Sequence, residues 1–178
     1  AEIAALREAI DPSAGPRVIF LLGGAGSGKT RILRWLEAEA VLEGWRVVAS
    51  DPRAVRSLED LRVAAEHSPV LVTLDDADAA AGSTAEFLDR VAREKGRPAI
   101  QVVAALRLGT PTQPVLARLL EDAGSVPTLR RVELPRLEAA AMRAMAVRAA
   151  GGAVSEERVQ WLLAASEGSS ARADSLII

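Results

Sequence analysis

The sequence contains no cysteine, no tyrosine and one histidine, and aromatic residues make up only 3% of it. Without cysteine there is no disulfide framework and no thiolate centre, as is common in a reducing compartment. No apolar stretch approaches the roughly 20 residues of a membrane span, and the N-terminus lacks the pattern of a signal peptide. The net charge of −2 gives no electrostatic basis for binding DNA or an anionic membrane. We therefore expect a cytoplasmic protein that contacts no membrane and, through this segment, no nucleic acid.

The length of 178 residues, 49% of them hydrophobic, suits one domain or one domain with an appendage. The chain begins at Ala1 without methionine and ends in the apolar Leu176-Ile177-Ile178. We expect it to be a segment of a longer polypeptide, whose other domains would be its partners.

Lysine is also scarce, because only Lys29 and Lys95 are lysines among the 22 basic residues. Lys29 belongs to a complete phosphate-binding loop pattern that follows the apolar run Val18–Leu22. Glycines let such a loop turn its amide groups towards an anion, and the helix that follows adds the positive end of its dipole. Lys29 would then reach the β- and γ-phosphates, and Thr30 the Mg²⁺ ion. The alternative is a glycine-rich turn without a ligand. The loop consists of Gly23, Gly24, Ala25, Gly26, Ser27, Gly28, Lys29 and Thr30.

Short apolar strands alternate with helices as far as Leu134, which predicts a parallel sheet covered on both faces. After Pro135 the pattern is helical only, and Ser155 is a plausible N-cap there. The predicted organisation is therefore a core over residues 1–134 and an incomplete helical lid over residues 135–178. The predicted strands are 18–22, 46–50, 70–74, 99–105 and 132–134, and the predicted helices are 2–10, 29–43, 57–66, 85–95, 115–121, 136–150, 155–165 and 171 onward.

A second motif consists of an apolar strand, Val70–Leu74, that ends in Asp75 and Asp76. A carboxylate at the carboxyl end of a strand beside the strand of the glycine loop can hold Mg²⁺, and a second one can orient the attacking water. Asp75 suits the metal role and Asp76 the water role. The alternative is a plain turn, since Asp75, Asp76 and Asp78 are all good turn residues.

With these motifs the chain resembles the AAA+ and STAND branch of P-loop ATPases, where STAND denotes signal-transduction ATPases with numerous domains. The resemblance covers the opening helix from Glu2, the glycine loop with Arg31 after it, the Leu74-Asp75-Asp76 ending, and Val132–Leu137 before the lid. It implies an α/β fold with three layers (α/β/α), a five-stranded parallel sheet in the order 5-1-4-3-2, and a small all-helical lid. The cofactors would be ATP or ADP with Mg²⁺, and Arg31 would join the nucleotide-binding residues.

The resemblance also implies roles for several arginines. Arg107 falls after the fourth strand, where the family has its first sensor, and would contact the γ-phosphate. Arg172 falls in a segment similar to the second sensor, although Gly168-Ser169-Ser170 lacks the proline common in STAND lids. Arg130 and Arg131, just before the last strand, lie where AAA+ rings place an arginine finger. For each of them an ordinary surface arginine is the alternative.

Three functions are consistent with these motifs, the first two through the resemblance. The leading one is an ATP-binding module of a larger regulator, in which nucleotide-dependent closure of the lid on the core is the switch for signalling or assembly. Hydrolysis would be slow, because Asp76 stands where motors carry glutamate and Ala105 replaces a polar sensor residue. Two adjacent aspartates are more similar to STAND switches than to motors. The second is an AAA+ motor acting as an oligomeric ring, and the third is a P-loop phosphotransferase, which would need an acceptor pocket. Trp35 and Trp161 are expected to pack in the core or the lid.

Overall fold

The computed structural model describes residues 6–7, 10, 15–50, 57–79, 82–94, 99–109 and 113–177. They belong to two compact units, the first made of Ala1–Leu22 with Lys29–Glu133 and the second of Gly23–Gly28 with Leu134–Ile178. Most of the N-terminal helix predicted over residues 2–10 lies outside the described residues, as does Lys95. Leu6 and Arg7 are helical, and Leu6 is fully buried.

The first unit contains a five-stranded parallel sheet. The strands run in the order β2-β3-β4-β1-β5, which confirms the predicted order 5-1-4-3-2 read from the opposite edge. The strands are β1 (Val18–Gly23), β2 (Arg46–Ser50), β3 (Val70–Leu74), β4 (Ile100–Arg107) and β5 (Leu129–Glu133). The helices are α1 (Lys29–Leu42), α2 (Leu58–Ala65), α3 (Gly82–Arg93) and α4 (Pro114–Asp122), with a 3₁₀ turn at Ala77–Ala79.

Helices cover both faces of the sheet, which gives the predicted three layers. Successive residues of a strand point to opposite faces, and all six residues of β1 are buried. On one face, alternate residues of β1, β3 and β4 share a core with Leu61 of α2, Leu88 of α3 and Leu116 of α4. On the other face, α1 packs against β2, β3 and β4. There the buried Thr73 hydroxyl of β3 donates a hydrogen bond to Glu37 of α1 at 2.5 Å.

The register aligns the carboxyl ends of the strands that carry the acidic motif. Leu74, the last residue of β3, pairs with Ser50 of β2 and with Ala104 of β4. One expectation is wrong in this respect, because β4 lies between β1 and β3, so the strand that ends at Asp75 is not beside the strand of the glycine loop. The side chain that meets Asp75 comes from α1.

The second unit combines the glycine loop with three helices, α5 (Ala139–Ala150), α6 (Glu156–Ser166) and α7 (Ser170–Ile177). The Ser155 hydroxyl accepts a hydrogen bond from the Arg158 N–H at 3.3 Å, as its predicted N-cap role requires. The three helices of this unit enclose a small core made of Met142, Ala146, Val159, Leu162 and Ala173.

Among the segments described in either unit, no helix is long and apolar enough to cross a membrane.

Three elements begin three residues away from their predicted starts, and the first is α3, which begins at Gly82 and not at Ala85. Strand β5 begins at Leu129 and not at Val132, so Arg130 and Arg131 lie inside it. An edge strand tolerates such exposed charges. Because of them, β5 lacks the continuous apolar run by which a buried strand is recognised in a sequence. Helix α5 begins at Ala139 and not at Arg136, because the preceding segment is held in a non-helical conformation by the Leu137 N–H, which donates to the Gly168 carbonyl at 2.9 Å.

The packing predicted for Trp161 is also wrong. Its side chain is 46% exposed, and the Arg158 guanidinium stacks on the ring at 4.4 Å from the centroid. Among the described residues, the tryptophan that is buried is Trp45, at the start of β2. Trp35 is half-buried, with the Arg7 guanidinium 5.9 Å from its ring centroid.

Candidate functional site

The glycine loop adopts a backbone that its glycines make possible. Gly26 and Gly28 have φ angles of +70° and +93°, in a region that other residues rarely adopt. The Ser27 N–H donates to the Gly24 carbonyl at 3.3 Å, which closes a tight turn. At Gly23 an added Cβ would lie 2.3 Å from the Ser27 hydroxyl, so the turn also needs glycine for its close approach. The sequence motif is therefore folded as a compact loop between β1 and α1.

Lys29 and Thr30 form the first turn of α1, directly after the loop. The Lys29 side chain is buried, and this burial lowers the pKa of its ammonium group. The charges of Asp76 and Asp75 oppose the shift, whereas Arg107 adds to it. Because the ammonium group is partly desolvated, water screens its charge less, and it would attract phosphate oxygens more strongly than an exposed lysine does. Arg31 is exposed one residue further along the helix.

The hydroxyl of Thr30 and the carboxylate of Asp75 meet within the first unit. Thr30 Oγ1 donates a hydrogen bond to Asp75 Oδ2 at 2.6 Å. Hydroxyl and carboxylate oxygens are the hard ligands that Mg²⁺ takes from proteins, and the remaining ligands are usually water and phosphate. These two residues fit a magnesium ion, and they are the residues predicted to hold it. A cavity of about 340 Å³ adjoins the pair and is also lined by Arg34, Glu37 and Thr73.

Asp76, the residue predicted to orient water, forms an ion pair with Arg107. Arg107 Nη2 and Nε donate to Asp76 Oδ1 at 3.1 and 3.3 Å, and this contact raises the pKa of the Arg107 guanidinium. Asp76 has a φ of +49°, which aspartate tolerates better than most residues. The Arg107 N–H also donates to Asp78 Oδ1 at 3.2 Å. Six predicted site residues belong to the first unit, and five of them lie close together there, Lys29, Thr30, Asp75, Asp76 and Arg107.

Arg172, the second predicted sensor, lies on α7 in the second unit. It is exposed and forms an ion pair with Glu167 at 2.9 Å. A cavity of about 150 Å³ within this unit is lined by Arg172, Arg136 and Ser166 together with the loop residues Gly24 and Ala25. Arg172 therefore shares a cavity with the glycine loop. Arg130 and Arg131 are exposed on β5, and Arg131 pairs with Glu133 of the same strand.

Sequence reasoning missed two sets of residues. The sequence predicts only a turn role for Asp78, whereas its carboxylate accepts a hydrogen bond from the Arg107 backbone N–H. It predicts only a sensor-like segment at Ser169 and Ser170, whereas both hydroxyls donate to the Gly26 carbonyl. The available signal was a pair of hydroxyl residues after a glycine, which favours a helix start but does not name the partner of those hydroxyls.

The fold and these residues define a class of protein, the P-loop NTPases of the AAA+ and STAND type. The model of the family described as Novel STAND NTPase 5 matches residues 2–110, more than half of the chain. The chain belongs to this family. No curated protein sequence matches it significantly.

Solved structures of AAA+ proteins share its fold. The replication initiator DnaA, bound to AMPPCP and single-stranded DNA, has a TM-score of 0.70 and 18% identity, over 98% of this chain and 58% of that one. AMPPCP-bound DnaA from Aquifex aeolicus has a TM-score of 0.65 and 18% identity, over 97% and 57%. The Thermotoga maritima Holliday junction branch migration motor RuvB has a TM-score of 0.63 and 19% identity, over 99% and 58%. At such identities the likeness shows the fold alone, and the chain spans less than two thirds of these structures.

Proposed function

We propose that this chain is the nucleotide-binding module of a larger regulatory protein and that it binds ATP or ADP with Mg²⁺. The glycine loop would surround the phosphates, Lys29 would bind the β- and γ-phosphates, and Thr30 and Asp75 would hold the metal ion. The chain's partners would be other domains of the same polypeptide and, in one nucleotide state, further copies of itself.

The observation that carries this proposal is the contact between Thr30 and Asp75, two residues that lie 45 positions apart. Each belongs to a separate motif, and for each the sequence predicts a contact with magnesium. A plain glycine-rich turn and a plain aspartate turn would have no reason to bring a hydroxyl and a carboxylate to 2.6 Å. Mass spectrometry of nucleotide released from the denatured purified protein tests the proposal, with ATP or ADP as the expected product.

Hydrolysis would be slow in this module. Asp76 has a shorter side chain than glutamate, and a misplacement of about 1 Å in a water-orienting group costs about 100-fold in rate. One oxygen of this carboxylate, Oδ1, also accepts a hydrogen bond from Arg107, so it is already engaged in an ion pair. Ala105, at the position of a polar sensor residue, is fully buried in β4 and offers no hydrogen-bonding group.

Nucleotide would act by changing the arrangement of the helical lid relative to the core. A ligand shifts a two-state equilibrium only through its different affinity for the two states, so Arg107 and Arg172 would have to bind the triphosphate better in the closed state. Limited proteolysis near Pro135 and Gly151-Gly152 tests this mechanism, with ATP and without it, in the wild type and in Arg172→Ala. ATP should protect the wild type more than the variant. Equal cleavage in all four samples would leave a static binding module.

An oligomeric motor is the second candidate, and the position of two exposed arginines favours it. Arg130 and Arg131 are exposed on the edge strand β5, where they would be accessible to a neighbouring copy of the chain. The two functions differ in their kinetics. A motor's turnover per protomer rises steeply with protein concentration, whereas a switch retains ADP and its slow turnover per protomer does not depend on concentration.

A further inference from the structure

The carbonyl oxygen of Gly26, in the middle of the glycine loop, accepts hydrogen bonds from one turn of the lid. The Ser170 hydroxyl donates at 2.7 Å, the Ala171 N–H at 3.2 Å and the Ser169 hydroxyl at 3.4 Å. All of these groups belong to the second compact unit. A carbonyl oxygen has two lone pairs, so the two shorter bonds carry most of the interaction. Among them, Ser170 makes the shortest contact.

The approach of the two segments is as close as a glycine allows. Gly26 has a φ of +70°, and a Cβ built on it would lie 2.2 Å from the Ser169 hydroxyl and 3.2 Å from the Ala171 Cβ. A larger residue would therefore displace the Ser169 hydroxyl and shift Ala171 by a few tenths of an ångström. Gly26 is required both for its backbone conformation and for this contact.

The Ser169 hydroxyl has a second role at the start of α7. It accepts a hydrogen bond from the Arg172 N–H at 3.3 Å, as an N-cap does, while its own proton is directed to Gly26. One side chain thus joins the glycine loop to the backbone of Arg172. The preceding turn is fixed by Glu167 and Gly168, with φ angles of +53° and +71°, so the serines are presented from a defined backbone.

We propose that Ser169 and Ser170 form a hydroxyl latch that positions the glycine loop for phosphate binding. This inference rests on the proposed nucleotide-binding function and names two positioning residues for it. Because a peptide unit is planar, a fixed Gly26 carbonyl also fixes the Ser27 N–H, which closes the loop turn on Gly24. The latch therefore sets the shape of the loop before the anion arrives, and affinity falls when the loop has to be ordered during binding.

The test uses the full chain and measures its affinity for ATP–Mg²⁺ by titration calorimetry. Ser170→Ala should weaken binding about three- to tenfold, the range expected for one lost hydrogen bond, and Ser170→Thr should restore most of the affinity. Ser175→Ala is the matched control, because its hydroxyl also lies on α7 but donates to the Ala171 carbonyl within the helix. Its affinity should equal that of the wild type.

Amide hydrogen exchange in the absence of nucleotide separates a specific effect of Ser170 on the glycine loop from a general loss of stability. Amides of Gly26, Ser27 and Gly28 should exchange faster in Ser170→Ala, and at the wild-type rate in Ser175→Ala. If the wild type bound ATP, and Ser170→Ala matched it in ATP affinity and in amide exchange rates, the latch would be overturned and the proposed function retained. If the wild type bound no nucleotide, the proposed function would fail, and the exchange rates alone would report on the latch.

Discussion

Replacing Gly26 by alanine perturbs the glycine loop at the point where the structure leaves least room. Alanine at a φ of +70° is strained, at a cost of about 1–2 kcal/mol for an L-residue in this region. Gly151, the C-cap of α5, has a similar φ of +67°, but a Cβ there would meet nothing within 4 Å. Gly151→Ala therefore carries the backbone strain alone and serves as the matched control.

The additional cost at Gly26 comes from the lid turn. A Cβ at 2.2 Å requires the Ser169 hydroxyl to rotate away, which breaks its bond to the Arg172 N–H and its contact with Gly26. Loss of an N-cap costs about 1 kcal/mol, and Ala171 must also move by a few tenths of an ångström. Gly26→Ala should therefore lose about 1 kcal/mol more in free energy of unfolding than Gly151→Ala, or about 2–4 °C in melting temperature at this size.

Chemical denaturation and calorimetric melting of the two variants measure the difference directly. ATP affinity supplies the second readout, since Gly26→Ala should bind nucleotide more weakly and Gly151→Ala should bind it as the wild type does. Equal stability losses in the two variants, with unchanged ATP affinity in both, would refute the assignment of the Gly26 contacts.

Two further outcomes are expected. Arg107→Ala should reduce the preference for ATP over ADP about tenfold while leaving ADP affinity unchanged, because the proposed contact is to the γ-phosphate. Calorimetry measures both affinities. The control is Arg118→Ala, which removes a similarly exposed arginine paired with Asp89 at 2.8 Å. A loss of affinity for both nucleotides alike in Arg107→Ala would contradict the sensor role. Turnover of ATP by the wild type in a phosphate-release assay should stay below about 1 s⁻¹, a rate ordinary for kinases, and faster turnover would argue for the motor.

Much of the fold follows from local pattern. Buried parallel strands are nearly continuous apolar runs, so β1 and β3 are visible in the sequence, and Gly44, with a φ of +82°, marks the end of α1 as expected. The strand order came from family resemblance, because periodicity carries no information about which strands are neighbours. Strand β5 was placed too late because its exposed arginines break the apolar run on a sheet edge.

The sequence predicts the proposed site best where its motifs are most specific. The spacing of the glycines, Lys29 and Thr30 matches a pattern that binds phosphate and a metal ion, and the structure places the Thr30 hydroxyl 2.6 Å from Asp75, the other residue predicted to hold the metal. The ion pair of Arg107 with Asp76 was not predicted, because an arginine side chain reaches several partners from one backbone position. The serine contacts to Gly26 were not predicted either, since they join residues 143 and 144 positions apart.

Calorimetric titration of the nucleotide-free chain with ATP–Mg²⁺ and ADP–Mg²⁺ tests the central claim most directly, in the wild type, Lys29→Ala and Lys95→Ala. Lys29→Ala should weaken binding by at least about 2 kcal/mol, or roughly thirtyfold, because a buried ammonium makes charge-assisted contacts to the phosphates. Lys95→Ala removes the chain's other lysine and should bind as the wild type does. Equal affinities in all three proteins, or no binding by the wild type, would contradict the assignment of the loop as a nucleotide site.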